Sequence, residues 1–180
     1  MPKTKSPRYY GLLTKIDLRE LIDGVMGSNT PVPDTARAFW ERLKHSKRYT
    51  ARPHVTIVHG KEKDQKGELW DVCVTLAAGK PPLVKFSLTH LVWNENVMAL
   101  AVDDLRLVNE KGRGEEGNTF LNALDDNLKT RLHITVGTRE PSISPVQAKE
   151  LIAQWRAGAE TNTFLLDEVT AQGRVKGLFT

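Results

Sequence analysis

The 180-residue sequence predicts an α+β fold built from antiparallel sheets, as a two-lobed domain with approximate internal two-fold symmetry. Three observations predict it. Strand-like segments fall in adjacent, hairpin-like groups, and helical periodicity is confined to a few stretches. Two short segments repeat one pattern: Arg52-Pro53-His54-Val55-Thr56-Ile57 and Arg131-Leu132-His133-Ile134-Thr135-Val136 both read R-x-H-[VI]-T-[IV]. The two histidines lie 79 residues apart, each with a helical stretch before it. No longer repeat supports the symmetry, so it rests on this pair.

The elements follow in order. Residues 1–7 read as a flexible leader and 8–180 as one domain, a length that suits a single core. Tyr9–Thr14 reads as the first strand. Asp17 caps a helix to about Val25, with Leu18, Leu21, Ile22 and Val25 at helical spacing. After a Gly/Pro-rich loop, Asp34 caps a second helix ending near Lys47. The first histidine strand runs over about 53–59 and stops at Gly60. Leu69–Ala77 alternates as a strand that holds Cys73, read as core, and Gly79-Lys80-Pro81-Pro82 is the turn after it. Leu83–Trp93 is a long strand or bent pair, and Val97–Val102 pairs back across Asn94-Glu95-Asn96. Residues 110–117, rich in Gly and charge, read as a flexible loop. A helix near 118–129 precedes the second histidine strand at 131–138. Ser144-Pro145-Val146-Gln147 opens a helix to about Arg156. Thr163–Thr170 and Arg174–Phe179 close the chain as a hairpin around Ala171-Gln172-Gly173.

Bulk properties narrow the function classes. No apolar run is long enough to cross a membrane, and the polar opening lacks a signal-peptide core. A single cysteine excludes an internal disulfide framework and a multi-cysteine zinc site, which points to an intracellular setting. Net charge is +4 with a pI near 9.2, compatible with a polyanionic substrate without requiring one. There is no glycine-rich phosphate loop, nucleophile elbow or zinc helix.

The repeated motif carries the chemistry. With five His and 16 Thr in the chain, two chance occurrences of His-apolar-Thr-apolar have a probability of about 0.002. Side chains alternate along a strand, so His54 and Thr56 share one face, as do His133 and Thr135, and the intervening apolar residues anchor the other. Two such strands face to face offer two imidazoles and two hydroxyls. Metal-free phosphodiester cleavage needs a base for the attacking oxygen, an acid for the leaving oxygen and donors for the phosphoryl charge. Histidine serves as either acid or base near neutrality, and a threonine hydroxyl can donate to a phosphoryl oxygen. The alternatives are two ordinary strands whose histidines bond backbone carbonyls, or a metal site that lacks an evident third ligand. His59, an odd step from His54, faces away by strand parity. Arg52 is a candidate phosphate or base contact, and Tyr9, Tyr10 and Trp93 are candidates to stack on a base. Arg131 reads as a solvated strand start.

These paired H-x-T motifs resemble the two-histidine (2H) phosphoesterase superfamily. Within it, His54-Val55-Thr56-Ile57-Val58-His59-Gly60 and His133-Ile134-Thr135-Val136-Gly137-Thr138 are most similar to the cyclic phosphodiesterase domain of fungal tRNA ligase. The opening Tyr9-Tyr10-Gly11 and closing Gly173-Arg174-Val175-Lys176-Gly177-Leu178-Phe179 add to the likeness. The resemblance implies a bilobal fold with two sheets about a cleft. It implies hydrolysis of an RNA 2′,3′-cyclic phosphate, as on tRNA exon halves, to a 2′-phosphate and a free 3′-hydroxyl. His54 and His133 would be acid and base in some order, with Thr56 and Thr135 on the phosphoryl oxygens; Arg52 and Tyr10 stay as the substrate contacts that the residues themselves suggest. No metal or cofactor is implied, and no role carries onto Arg131. Such a domain works in the nucleus or cytoplasm, joined to kinase and ligase modules. Other 2H activities, on 2′–5′ oligonucleotides or ADP-ribose cyclic phosphate, and a non-catalytic RNA-binding module are the alternatives.

Overall fold

The structure, a computed structural model, describes residues 6–108, 110 and 114–179. Its elements run β1 (Tyr9–Thr14), α1 (Leu18–Met26), α2 (Asp34–Ser46), β2 (His54–His59), a 3-10 turn (Gly60–Glu62) and α3 (Gly67–Ala78). Then come β3 (Leu83–Trp93), β4 (Val97–Leu107), α4 (Gly114–Ala123), α5 (Asp126–Lys129), β5 (His133–Thr138), α6 (Val146–Arg156) and β6 (Asn162–Leu178).

The six strands form one closed antiparallel sheet in the order β1-β2-β5-β4-β3-β6, not two sheets. The reason lies in β6. It crosses the expected hairpin at Ala171-Gln172-Gly173 without turning, pairing with β3 along Asn162–Arg174 and with β1 along Gly173–Leu178. Gly173 is there for close approach. A Cβ at this position would meet the Leu13 carbonyl oxygen at 2.6 Å. One long strand therefore joins what the sequence suggests as two lobes, and β2 meets β5 through Val55 opposite Ile134 to close the ring.

Other expectations shift in the same way. Leu69–Ala77 lies in helix α3, because Leu69, Trp70, Cys73 and Leu76 are buried together at helical spacing. Alternation had fitted the β-branched residues, but Val74 is left exposed. Cys73 is buried in the core, which pushes its thiol up to about 12 and leaves it inert. Gly114–Gly117 opens α4 instead of a loop, residues 111–113 lie outside the described residues, and Glu110 is pinned by both Arg174 guanidinium nitrogens at 2.9 Å. The helix near 118–129 is two helices, since Asp125 accepts from the Leu128 N–H at 2.6 Å and restarts the chain as α5. Asp34 is the first residue of α2, not its cap. Of the 1–7 leader, residues 1–5 lie outside the described residues.

The core holds Trp40, Trp93, Phe86, Phe120 and the strand residues Leu12, Val55, Ile134 and Leu100, all almost fully buried. Truncating one of the aromatics to alanine would cost about 3–5 kcal/mol. Helix α6 packs Ala148, Leu151 and Ile152 against Val92, Val97, Ala99 and Ala101 on the opposite face of the sheet, the face that carries the site. Among the described residues no helix is long and apolar enough to cross a membrane.

Candidate active site

The site begins with one register fact. Val55 of β2 stands opposite Ile134 of β5 in an antiparallel pair, and these are the central residues of the two H-x-T motifs. Both are fully buried. Alternation then sends His54, Thr56, His133 and Thr135 to the other face, where all four are half-buried. An antiparallel pair has a local two-fold axis, so His54 falls beside Thr135 and His133 beside Thr56. The imidazoles occupy diagonal positions, roughly 7–8 Å apart along the strands and somewhat closer at Cβ. That gap accommodates a phosphoryl group between them.

Both rings are held the same way. His54 Nδ1 lies 3.0 Å from the Arg52 carbonyl oxygen, and His133 Nδ1 lies 2.8 Å from the Arg131 carbonyl oxygen. A carbonyl only accepts, so each Nδ1 carries hydrogen and donates it. Each Nε2 is left as the reactive nitrogen. The backbone next to each carbonyl is itself positioned. The backbone N–H and hydroxyl of Thr14 both donate to Pro53 O, at 3.1 and 3.0 Å. The Arg131 N–H donates to Leu128 O of α5. Further along the same edge of β5, Thr50 donates its N–H to Val136 O and its hydroxyl to Thr135 O, each at 2.8 Å.

The two arginines thus matter first through their backbones. The Arg52 side chain is exposed, and its charge reaches the Tyr9 hydroxyl. Arg131 is half-buried with its Nε unpartnered.

The imidazoles differ in surroundings. Burial depresses the His133 pKa; the Arg131 carbonyl opposes this, and the nearby His54 and Lys149 add to the depression. Lys149 stands on α6, where helix packing brings it over β5. Sequence periodicity gives no sign of this, because it depends on which sheet face α6 covers. Lys149 also reaches Glu62 at 3.9 Å, and Lys66 reaches the same carboxylate at 3.2 Å. Burial alone would raise the Glu62 pKa, but the His59 N–H, Lys149 and Lys66 together hold it low.

Tyr9, not Tyr10, stands beside the histidines. Its ring centroid is 5.2 Å from that of His54 and 6.0 Å from that of His59, and burial raises its pKa. Tyr10 is 6% exposed and packs edge-on to Trp70 in the core. Trp93 is buried too, with its indole N–H on the Thr35 hydroxyl at 3.1 Å. His59 is on the same face as His54, against strand parity. The pairing with β1 slips between Tyr10↔Val58 and Gly11↔Thr56, leaving Ile57 as an extra residue. This bulge lets Ile57 and Val58 both turn inward and returns His59 to the outer face.

Among the described residues no group of three or more His, Cys, Asp or Glu side chains is placed to hold a metal ion. The constellation is two Nε2-presenting imidazoles, two hydroxyls and an overhanging lysine. It can exchange protons on opposite sides of a phosphate while neutralising its charge.

Comparison with known proteins identifies the family. The family model described as the fungal tRNA ligase phosphodiesterase domain matches residues 1–178. The chain is 26% identical over 158 residues to tRNA ligase 1 of Schizosaccharomyces pombe (strain 972 / ATCC 24843), covering 84% of this chain. It spans 17% of that relative's length. In fold it is similar to the crystal structure of a fungal RNA kinase, with a TM-score of 0.54 at 18% identity, covering 97% of this chain and 43% of the other. The chain belongs to the fungal tRNA ligase phosphodiesterase domain family and is a 2′,3′-cyclic-nucleotide phosphodiesterase of that type.

Proposed function

We propose that the domain opens the 2′,3′-cyclic phosphate at an RNA end, as on a tRNA exon half, to leave a 2′-phosphate and a 3′-hydroxyl. The observation that carries this reading is the Val55–Ile134 register, which sets both H-x-T pairs around one point. Water is the nucleophile. His133 takes its proton at Nε2, the new O–P bond forms, the P–O3′ bond breaks, and His54 Nε2–H delivers a proton to O3′. His133 is the base because burial, with His54 and Lys149 adding to it, favours the neutral form of its ring. His54 in its protonated form keeps Nδ1–H on the Arg52 carbonyl and has Nε2–H to give. Thr56 and Thr135 donate their hydroxyls to the non-bridging oxygens, and Lys149 adds positive charge on the β5 side. The Arg52 side chain contacts the substrate from the exposed rim. Tyr9 fills the stacking role that the sequence left open between the two tyrosines. No step calls on a metal.

Residues 8–180 serve as one catalytic unit. In a full-length parent it is linked to kinase and ligase modules, in a nuclear or cytoplasmic setting; the fraction of tRNA ligase 1 that the chain covers supports this. The test is product analysis on an RNA ending in a 2′,3′-cyclic phosphate, with and without EDTA. A 2′-phosphate formed at the same rate in EDTA is expected. A 3′-phosphate, or loss of activity in EDTA with recovery on adding a divalent ion, overturns the reading.

A further inference from the structure

His59 belongs to no step above, yet the bulge in β2 places it on the catalytic face. Its ring stacks on Tyr9 at 15° between planes, and Tyr9 in turn lies against His54, so the three rings form a row leading away from the reaction centre. Its tautomer is opposite to that of the catalytic pair. The Lys61 N–H donates to His59 Nδ1 at 3.1 Å, which makes Nδ1 an acceptor and puts the hydrogen of the neutral ring on Nε2. The His59 backbone N–H is tied to Glu62 Oε1 at 3.2 Å, so the backbone that carries the ring is fixed as well. His59 is therefore a fixed donor, unsuited to act as a base at Nδ1. Nε2 has no protein partner among the described residues.

The strand beside this row has a step without a side chain, at Gly11, next to an exposed lysine. Gly11 stands opposite Thr56, and a Cβ there would meet the Val55 carbonyl oxygen at 2.5 Å, so only glycine fits. Lys176 of β6 pairs with Gly11, alternates outward from buried Val175 and is exposed. Glu62, whose carboxylate bonds the His59 N–H, is already matched by Lys66 and Lys149.

We propose that His59 and Lys176 form a second anion subsite, which holds the internucleotide phosphate on the 5′ side of the cyclic end. His59 Nε2–H donates to a non-bridging oxygen, Lys176 supplies charge, and Tyr9 spaces this phosphate from the one being opened. The subsite rests on the RNA-end reading above. It makes the enzyme prefer a polynucleotide end over a cyclic mononucleotide, which carries no second phosphate.

The test compares kcat/KM on an oligoribonucleotide ending in a 2′,3′-cyclic phosphate with that on a nucleoside 2′,3′-cyclic phosphate. His59→Asn keeps an acceptor at the Nδ1 position and so preserves the tie to Lys61, but it loses the Nε2 donor. His59→Gln keeps a donor near the Nε2 position. In His59→Asn the oligonucleotide-to-mononucleotide ratio should fall roughly tenfold, through KM, as expected for loss of a hydrogen bond to a charged group. His59→Gln should recover most of it, and Lys176→Gln should lower the ratio independently. An unchanged ratio in His59→Asn, or equal loss with Asn and Gln, overturns the subsite while leaving the cyclic phosphodiesterase reading intact. Failure of the wild-type enzyme to open either substrate overturns that reading and the subsite with it.

Discussion

The two H-x-T strands are nearly the same sequence in unlike places. Strand β2 lies next to β1, carries a bulge, and presents His54 beside Tyr9 with Arg52 exposed at its start. Strand β5 lies between β2 and β4, under the face covered by α6, with Lys149 near His133. What they share is local: a carbonyl two residues back that fixes each Nδ1. What separates them is tertiary: burial and a lysine at one ring, an aromatic row at the other. A repeat thus supplies two equivalent imidazoles, and packing makes them inequivalent, which is what the proposed division into base and acid draws on.

Removing either ring should abolish the comparison altogether. His54→Ala and His133→Ala are each expected to lower kcat by about 10²–10⁴-fold, with unfolding transitions near that of the wild type. Full activity in either would break the account. Thr56→Val and Thr135→Val come next. Each removes a hydroxyl donor at nearly constant volume, and a loss of roughly 10–100-fold in kcat should accompany a small change in KM. Equal losses in the two would show that the hydroxyls are the symmetric part of the site.

Lys149→Gln sharpens the asymmetry. The base must be deprotonated, so kcat/KM rises with pH through the His133 pKa, which lies below the usual imidazole value. Removing the lysine lifts part of that depression. The acid limb of the pH–rate profile should therefore move to higher pH, and a limb that stays put would show that Lys149 does not govern His133. The smallest effect belongs to Arg52→Ala. The carbonyl that holds His54 is retained, so activity should fall by less than about tenfold. A larger loss would assign the side chain a part in the chemistry.

The sequence made the site more legible than the fold. Strand alternation alone put His54, Thr56, His133 and Thr135 on two polar faces, and the Val55–Ile134 register merges those faces. Strand β3 and helix α1 follow their local patterns closely, because an alternating buried face and an Asp17 cap are local signals. The misreadings come from residues whose role is set at a distance. Gly173 looks like a turn until Leu13 is seen against it. Val72 and Val74 gave α3 a strand's composition while Leu69, Trp70, Cys73 and Leu76 kept a helix's spacing. One extra residue at Ile57 reversed the parity that had His59 facing away, and the choice between Tyr9 and Tyr10 hung on which of them faced Trp70. Lys149 could not be found from its own helix at all.

The division of labour between the histidines is best tested with a cyclic substrate in which sulfur replaces O3′. A thiolate leaves without a proton, so the acid becomes dispensable and the base does not. The account predicts that His54→Ala regains most of the wild-type rate on this substrate while His133→Ala stays inactive. Recovery of His133→Ala in place of His54→Ala, or of neither, would contradict it.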